Sequence, residues 1–144
     1  MEPWPQGRTD GPVVLLRRES RSLVQRLRLW TPARYAAAAP PWGTRGDLAR
    51  HLAQACADVA ADVEGEPRRT VPRLDSDLGL ADQLAVTSDD VVRARPDDGV
   101  ARAVTAHLLV HRWDLLDEDV PTSLADALGL DDVVAAGRDA CARG

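Results

Sequence analysis

The sequence predicts an all-α fold: a four-helix bundle followed by an extra short helical segment. Three observations carry that prediction. Apolar residues recur at helical spacing in four separate windows. The alternation expected of half-buried strands is absent nearly everywhere. Hydrophobic residues make up 44% of the 144, yet there is no Phe and only one Tyr, so Ala, Leu, Val and a few Trp must build the core. Alanine and leucine favour helix, and the scarcity of aromatic residues argues against a sheet-rich fold.

Residues 1–11 are rich in Pro, Gly and charge and are expected to form a flexible N-terminal arm. Residues 12–144 are expected to form a single domain. The first predicted helix spans 12–30, with Val13, Leu16, Leu23, Leu27 and Trp30 near helical spacing. Thr31-Pro32 ends it, because proline disfavours helical geometry in the residue before it. PARYAAAAPPWG, residues 32–43, reads as a short turn of helix and then a loop carrying Trp42. The second helix, 44–63, has a strong start signal: Thr44 as N-cap with Asp47 three residues on, a variant of the capping box. Leu48, Leu52, Ala55 and Val59 form its apolar stripe, and His51 lies within it. GEPRRTVPRLDSDLG then connects to a weaker third helix, 79–94, which offers Leu80, Leu84, Val91 and Val92 for burial. RPDDG breaks the chain. In the fourth helix, 98–117, Val100, Val104, His107, Leu108, His111 and Leu115 share one face. After Pro121, residues 122–144 hold one short helix or two, broken near Gly129.

Charge and composition exclude several function classes. The formal net charge is −5, and the 18 basic residues, all arginine, form no block. Binding to a nucleic-acid backbone is therefore not expected. No run approaches the roughly 20 apolar residues of a membrane span. The start, MEPWPQGRTDG, has neither the basic nor the apolar region of a signal peptide. Cys56 and Cys141 form no CxxC and no disulfide framework. A cytoplasmic protein with two reduced thiols is expected.

The chain has only three histidines, and two stand four residues apart in AHLLVHRWDLL. Helical residues at that spacing have Cβ atoms roughly 5–6 Å apart on one face. Two such imidazoles can both reach one metal ion at about 2.0–2.1 Å. His51, from a facing helix, would supply a third nitrogen and leave coordination positions open, as catalytic sites do. The residues alone leave a second reading standing, in which His51, His107 and His111 are hydrogen-bonded core residues. Asp114, three past His111, and Asp47, four before His51, could orient a ligand, although the N-cap role accounts for Asp47 by itself. Asp114 and Asp58 are the candidate general bases. Trp113 is expected at a helix interface, Cys56 as a small buried hydrophobe, and Arg112 in solvent.

Two blocks carry a resemblance. TRGDLARHLA at 44–53 looks like the W-T-x-R-D-L-x-x-H-L-A helix start of the DinB-like metalloenzyme superfamily. It resembles in particular the N-terminal domain of mycothiol-dependent maleylpyruvate isomerases. HLLVHRWDL at 107–115 resembles that family's E/H-x-x-x-H-x-W-D-L block. Carried over, His51, His107 and His111 fall on the three metal-ligand positions. Gly43 places Trp42 one residue further from Asp47 than the pattern has it, and His107 stands where Glu is common, as in the three-histidine branch. The isomerase uses a second domain that is not expected here, so that activity itself is not expected. The resemblance implies a four-helix bundle holding a divalent ion, Zn²⁺ or Ni²⁺, between its second and fourth helices. It further implies a metal-dependent thiol S-transferase acting on mycothiol or a similar small thiol and an electrophile, and pairing through helix faces into a homodimer. The alternatives are a metal-binding protein without catalysis and an interaction bundle. Because ligand histidines must be neutral, metal affinity is expected to fall below about pH 6.5.

Overall fold

The structure, a computed structural model, describes residues 11–116 apart from the side chain of Trp113. The expected arm, the helical segment at 122–144, and Cys141 lie outside the described residues, save Gly11. The described chain is mostly helical. Its elements are α1 (Pro12–Leu27), α2 (Pro32–Ala36), β1 (Ala38–Ala39), β2 (Gly43–Thr44), α3 (Arg45–Glu64), α4 (Leu80–Arg93) and α5 (Asp98–Leu116), with a 3-10 turn at Asp77–Gly79 before α4. Helices α1 and α3 each pack against both α4 and α5. No helix among the described residues is long and apolar enough to cross a membrane.

The first helix stops three residues short of the expected Trp30. Pro32 holds Thr31 extended (φ −81°, ψ 161°), so the chain must leave helical geometry before it. The last turn tightens: the Trp30 amide donates to the Leu27 carbonyl at 3.1 Å. The buried Tyr35 hydroxyl donates to the same carbonyl at 2.8 Å, satisfying an acceptor that the helix end would otherwise strand. Trp30 meets Tyr35 edge-on, with ring centroids 5.1 Å apart. Pro12 opens α1 as the sequence suggests, where its missing N–H is harmless.

The expected loop before α3 contains a short antiparallel pair, Ala38 with Thr44 and Ala39 with Gly43. Two residues per strand carry no periodicity to read. Thr44 then caps α3 as expected: its side chain accepts from the Asp47 amide, and the Asp47 carboxylate accepts from the Thr44 amide at 2.9 Å. Gly65 closes the helix in the left-handed conformation, φ +70°.

The core is drawn from all four long helices. Leu16, Leu23 and Leu27 of α1, Leu48 and Leu52 of α3, Leu80, Leu84 and Val91 of α4, and Leu108 and Leu115 of α5 are all buried. Along α3, Ala49, Ala53, Cys56 and Ala60 are buried too, and their small size lets a neighbouring helix approach closely. The long connection after α3 has no regular structure over 66–74 but is pinned by side-chain amides. Gln54 accepts from the Val71 amide at 2.8 Å and donates to the Arg69 carbonyl, and Gln83 donates to the Pro72 carbonyl at 2.8 Å.

Burial on α5 extends beyond the expected stripe to Ala101, Thr105 and Leu109. This second stripe accounts for Arg112, which is not in solvent as expected. Its guanidinium bonds the Glu19 carboxylate of α1 at 3.0 Å, with the two side chains only 15% and 12% exposed. Packing of α5 on α1 encloses a position that looks polar and external by its residue type. Removing one partner of a largely enclosed pair leaves the other charge less well compensated. Glu19→Ala is therefore expected to lower unfolding stability by about 2–4 kcal/mol in urea denaturation, and Glu19→Gln, which keeps an acceptor, by less.

Candidate metal centre

The capping box sets where α3 begins, and His51 follows on its second turn. The hairpin of β1 and β2 precedes the cap and carries Pro40, Pro41 and Trp42 at its tip. Gly43 stands at φ +106°, a conformation that side chains disfavour. A Cβ there would meet Asp47 Oδ2 at 2.5 Å. Glycine is thus required on both conformational and steric grounds. With it, the hairpin folds back so that the Trp42 ring lies on His51, centroids 4.4 Å apart and tilted 32°.

Across from His51, α5 presents His107 and His111 one helical turn apart, their ring centroids separated by 4.6 Å. His51 Nε2 and His107 Nε2 approach to 3.2 Å. One ring nitrogen from each of the three histidines lies within 4.8 Å of the others. Trp42 also meets His111 edge-on at 5.2 Å. The structure therefore brings together all three histidines singled out in the sequence, from two helices separated by 56 residues at the closest pair.

Two nitrogens at 2.0–2.1 Å from a tetrahedral ion are about 3.3–3.4 Å apart. The 3.2 Å between the His51 and His107 nitrogens matches that spacing; it is also a distance at which one neutral imidazole donates to another. His111 Nδ1 is buried and has no hydrogen-bond partner among the described residues, a condition that costs stability when nothing occupies the lone pair or proton. Among the described residues no Cys, Asp or Glu joins the group. The donor set among the described residues is thus three neutral nitrogens, a set that suits ions such as Zn²⁺, Cu²⁺, Fe²⁺ and Ni²⁺.

Burial keeps these imidazoles neutral. It lowers the pKa of His51; at His107 burial and then the nearby His51 charge act in the same direction. His111 is taken down to about 4, by burial first and then by His107 and His51. Protons therefore bind these nitrogens only below the ordinary imidazole range.

The other residues singled out divide clearly. Asp47 serves the cap, and its carboxyl is held below the usual range chiefly by the Thr44 amide. Asp58 accepts from Gln54 at 2.8 Å and lies 3.9 Å from Arg68, so it belongs to the anchor of the long connection. Asp114 is partly buried on α5, three residues past His111. Cys56 is 1% exposed, and burial pushes its thiol up to about 12, which makes it a packing residue and no nucleophile. The contact of Trp42 with two imidazoles was not readable from the sequence. Its only signal is a Trp-Gly pair directly before the N-cap of the helix that bears His51.

No protein-family model, curated protein or solved structure matches the chain.

Two outcomes follow from this geometry. Gly43→Ala should strain the backbone and crowd Asp47; chemical denaturation should show a loss of about 2 kcal/mol, the range of a strained residue plus a weakened cap. In chelator-treated protein the three histidines titrate below their unfolded value of 6.5. Above pH 6.5 both states are neutral and the histidines exert no pH effect. Below it the unfolded chain takes up protons first, so stability should fall as pH drops from about 6.5 towards 4. Denaturation curves across that window should show the decline, and His111→Gln should flatten it.

Proposed function

We propose that this protein holds one divalent ion, Zn²⁺ or Ni²⁺, on His51, His107 and His111, in a DinB-like four-helix bundle. We further propose that it activates a small thiol for transfer to an electrophile. The observation that carries the reading is the convergence of three neutral imidazole nitrogens within 4.8 Å from two helices. The bundle assignment is supported by the packing, in which α1 and α3 each contact α4 and α5, placing α3 beside α5 as a shared site needs.

When bound, the ion would lower the pKa of a thiol or water at its open position and so supply a nucleophile at neutral pH. The chain's own part is to hold three unprotonated nitrogens, which burial ensures. Trp42 lies against His51 and His111 at one end of the cluster. Asp114, one turn past His111, is the residue proposed to orient an imidazole.

The test is elemental analysis of tag-free protein beside the His107→Ala/His111→Ala double variant. Close to one ion per chain is expected in the parent and little in the variant. Thiol-dependent conjugation should then be seen in the metal-loaded parent alone. Metal without thiol binding or conjugation would reduce the reading to a metal-binding bundle. No metal in either protein, even after Zn²⁺ or Ni²⁺ is added back, would mean that the three histidines are core residues paired as His51 and His107 are.

A further inference from the structure

Beside the histidine cluster runs an apolar groove of about 270 Å³ between α3 and α5. Ala55, Cys56 and Val59 line it from α3, and Ala103, Val104 and Leu108 from α5; its remaining wall residue is His107. The register makes the connection plain. Ala55 and Val59 stand one and two turns beyond His51, and Ala103 stands one turn before His107. The groove therefore starts at the His107 side of the cluster and runs away from it. The ring contacts of Trp42 are with His51 and His111, which is the opposite end.

Resting on the metal reading above, we propose that this groove seats the uncharged, apolar arm of the molecule that occupies the open position. That molecule is a thiol with a neutral hydrocarbon substituent of about four to eight carbons, and a carboxylate in the same place is rejected. Size and chemistry both support the class. An apolar cavity of about 150 Å³ already accommodates benzene, so this groove is large enough for an alkyl chain or one substituted ring. Among the described residues its lining contains no acid, no arginine and no amide side chain. A carboxylate entering it would lose hydration with no cation to replace it. A methylene entering it would gain the usual transfer free energy.

The experiment uses ¹⁵N-labelled, zinc-loaded protein titrated with straight-chain thiols from ethanethiol to hexanethiol and with 4-mercaptobutyrate. Kd is read from amide shifts at 55–59 and 103–108, and zinc content is measured alongside. Each added methylene should tighten binding about two- to fourfold, and 4-mercaptobutyrate should bind at least about tenfold more weakly than pentanethiol. Ala103 is exposed at the groove rim, so Ala103→Phe should fill the groove, weaken hexanethiol by tenfold or more and leave the zinc content unchanged. If that variant does not fold, Ala103→Gln makes the same test with a polar obstruction. Affinity independent of chain length, equal binding of the carboxylate, or no effect of the Ala103 variants would overturn the groove assignment while the metal reading stood. Failure to take up zinc would overturn the metal reading itself, and the groove assignment with it.

Discussion

The site depends on a pair of reciprocal hydrogen bonds between Thr44 and Asp47 at the start of α3. They decide which residue begins the helix. That choice fixes the rotation of His51 about the helix axis and the point at which the preceding hairpin meets it. Gly43 is part of the same constraint, because any Cβ at that position would collide with the capping carboxylate. The cap thus sets two things at once: the imidazole that faces α5 and the indole that covers it.

The electrostatics of the cluster run against those of the whole chain. The molecule carries a net charge of −5, yet the group of histidines includes no carboxylate among the described residues. Three imidazoles close together and partly buried cannot readily become three cations, since desolvation and mutual repulsion both oppose it. The neutral form that results is the one that can donate lone pairs. Charges elsewhere are used for architecture. Glu19 and Arg112 join α1 to α5, Arg28 and Asp82 join α1 to α4, and Asp58 and Asp62 hold Arg68 at the start of the connection.

The same helix, α5, serves as a core element and as the provider of two of the three clustered histidines. One stripe carries Val104, His107, Leu108 and His111; the other carries Ala101, Thr105 and Leu109. Thr105 resolves its own burial by donating to the Ala101 carbonyl at 2.8 Å, and Arg112 on that face is met by Glu19 of α1. This division leaves the polar atoms of the histidine face as those available to a ligand, and it places an apolar groove directly beside them.

What the sequence determined by itself is whatever depends on near neighbours along the chain. Helical periodicity marked α1, α3, α4 and α5 to within a few residues. The Thr44–Asp47 spacing marked the start of α3. The four-residue interval placed His107 and His111 on one face, because 3.6 residues per turn makes that a local property. The tertiary structure decided the rest, because it depends on residues far apart in sequence. The hairpin at 38–44 is too short to show a period. Arg112 is enclosed only because α1 lies against α5. Trp42 reaches the imidazoles only because the chain reverses at Gly43. The groove beside His107 belongs to neither helix and exists only where α3 and α5 meet. That His51 joins the other two could be expected from its apolar face and from the family resemblance. The 3.2 Å approach of its nitrogen to that of His107 is a property of the packed helices alone.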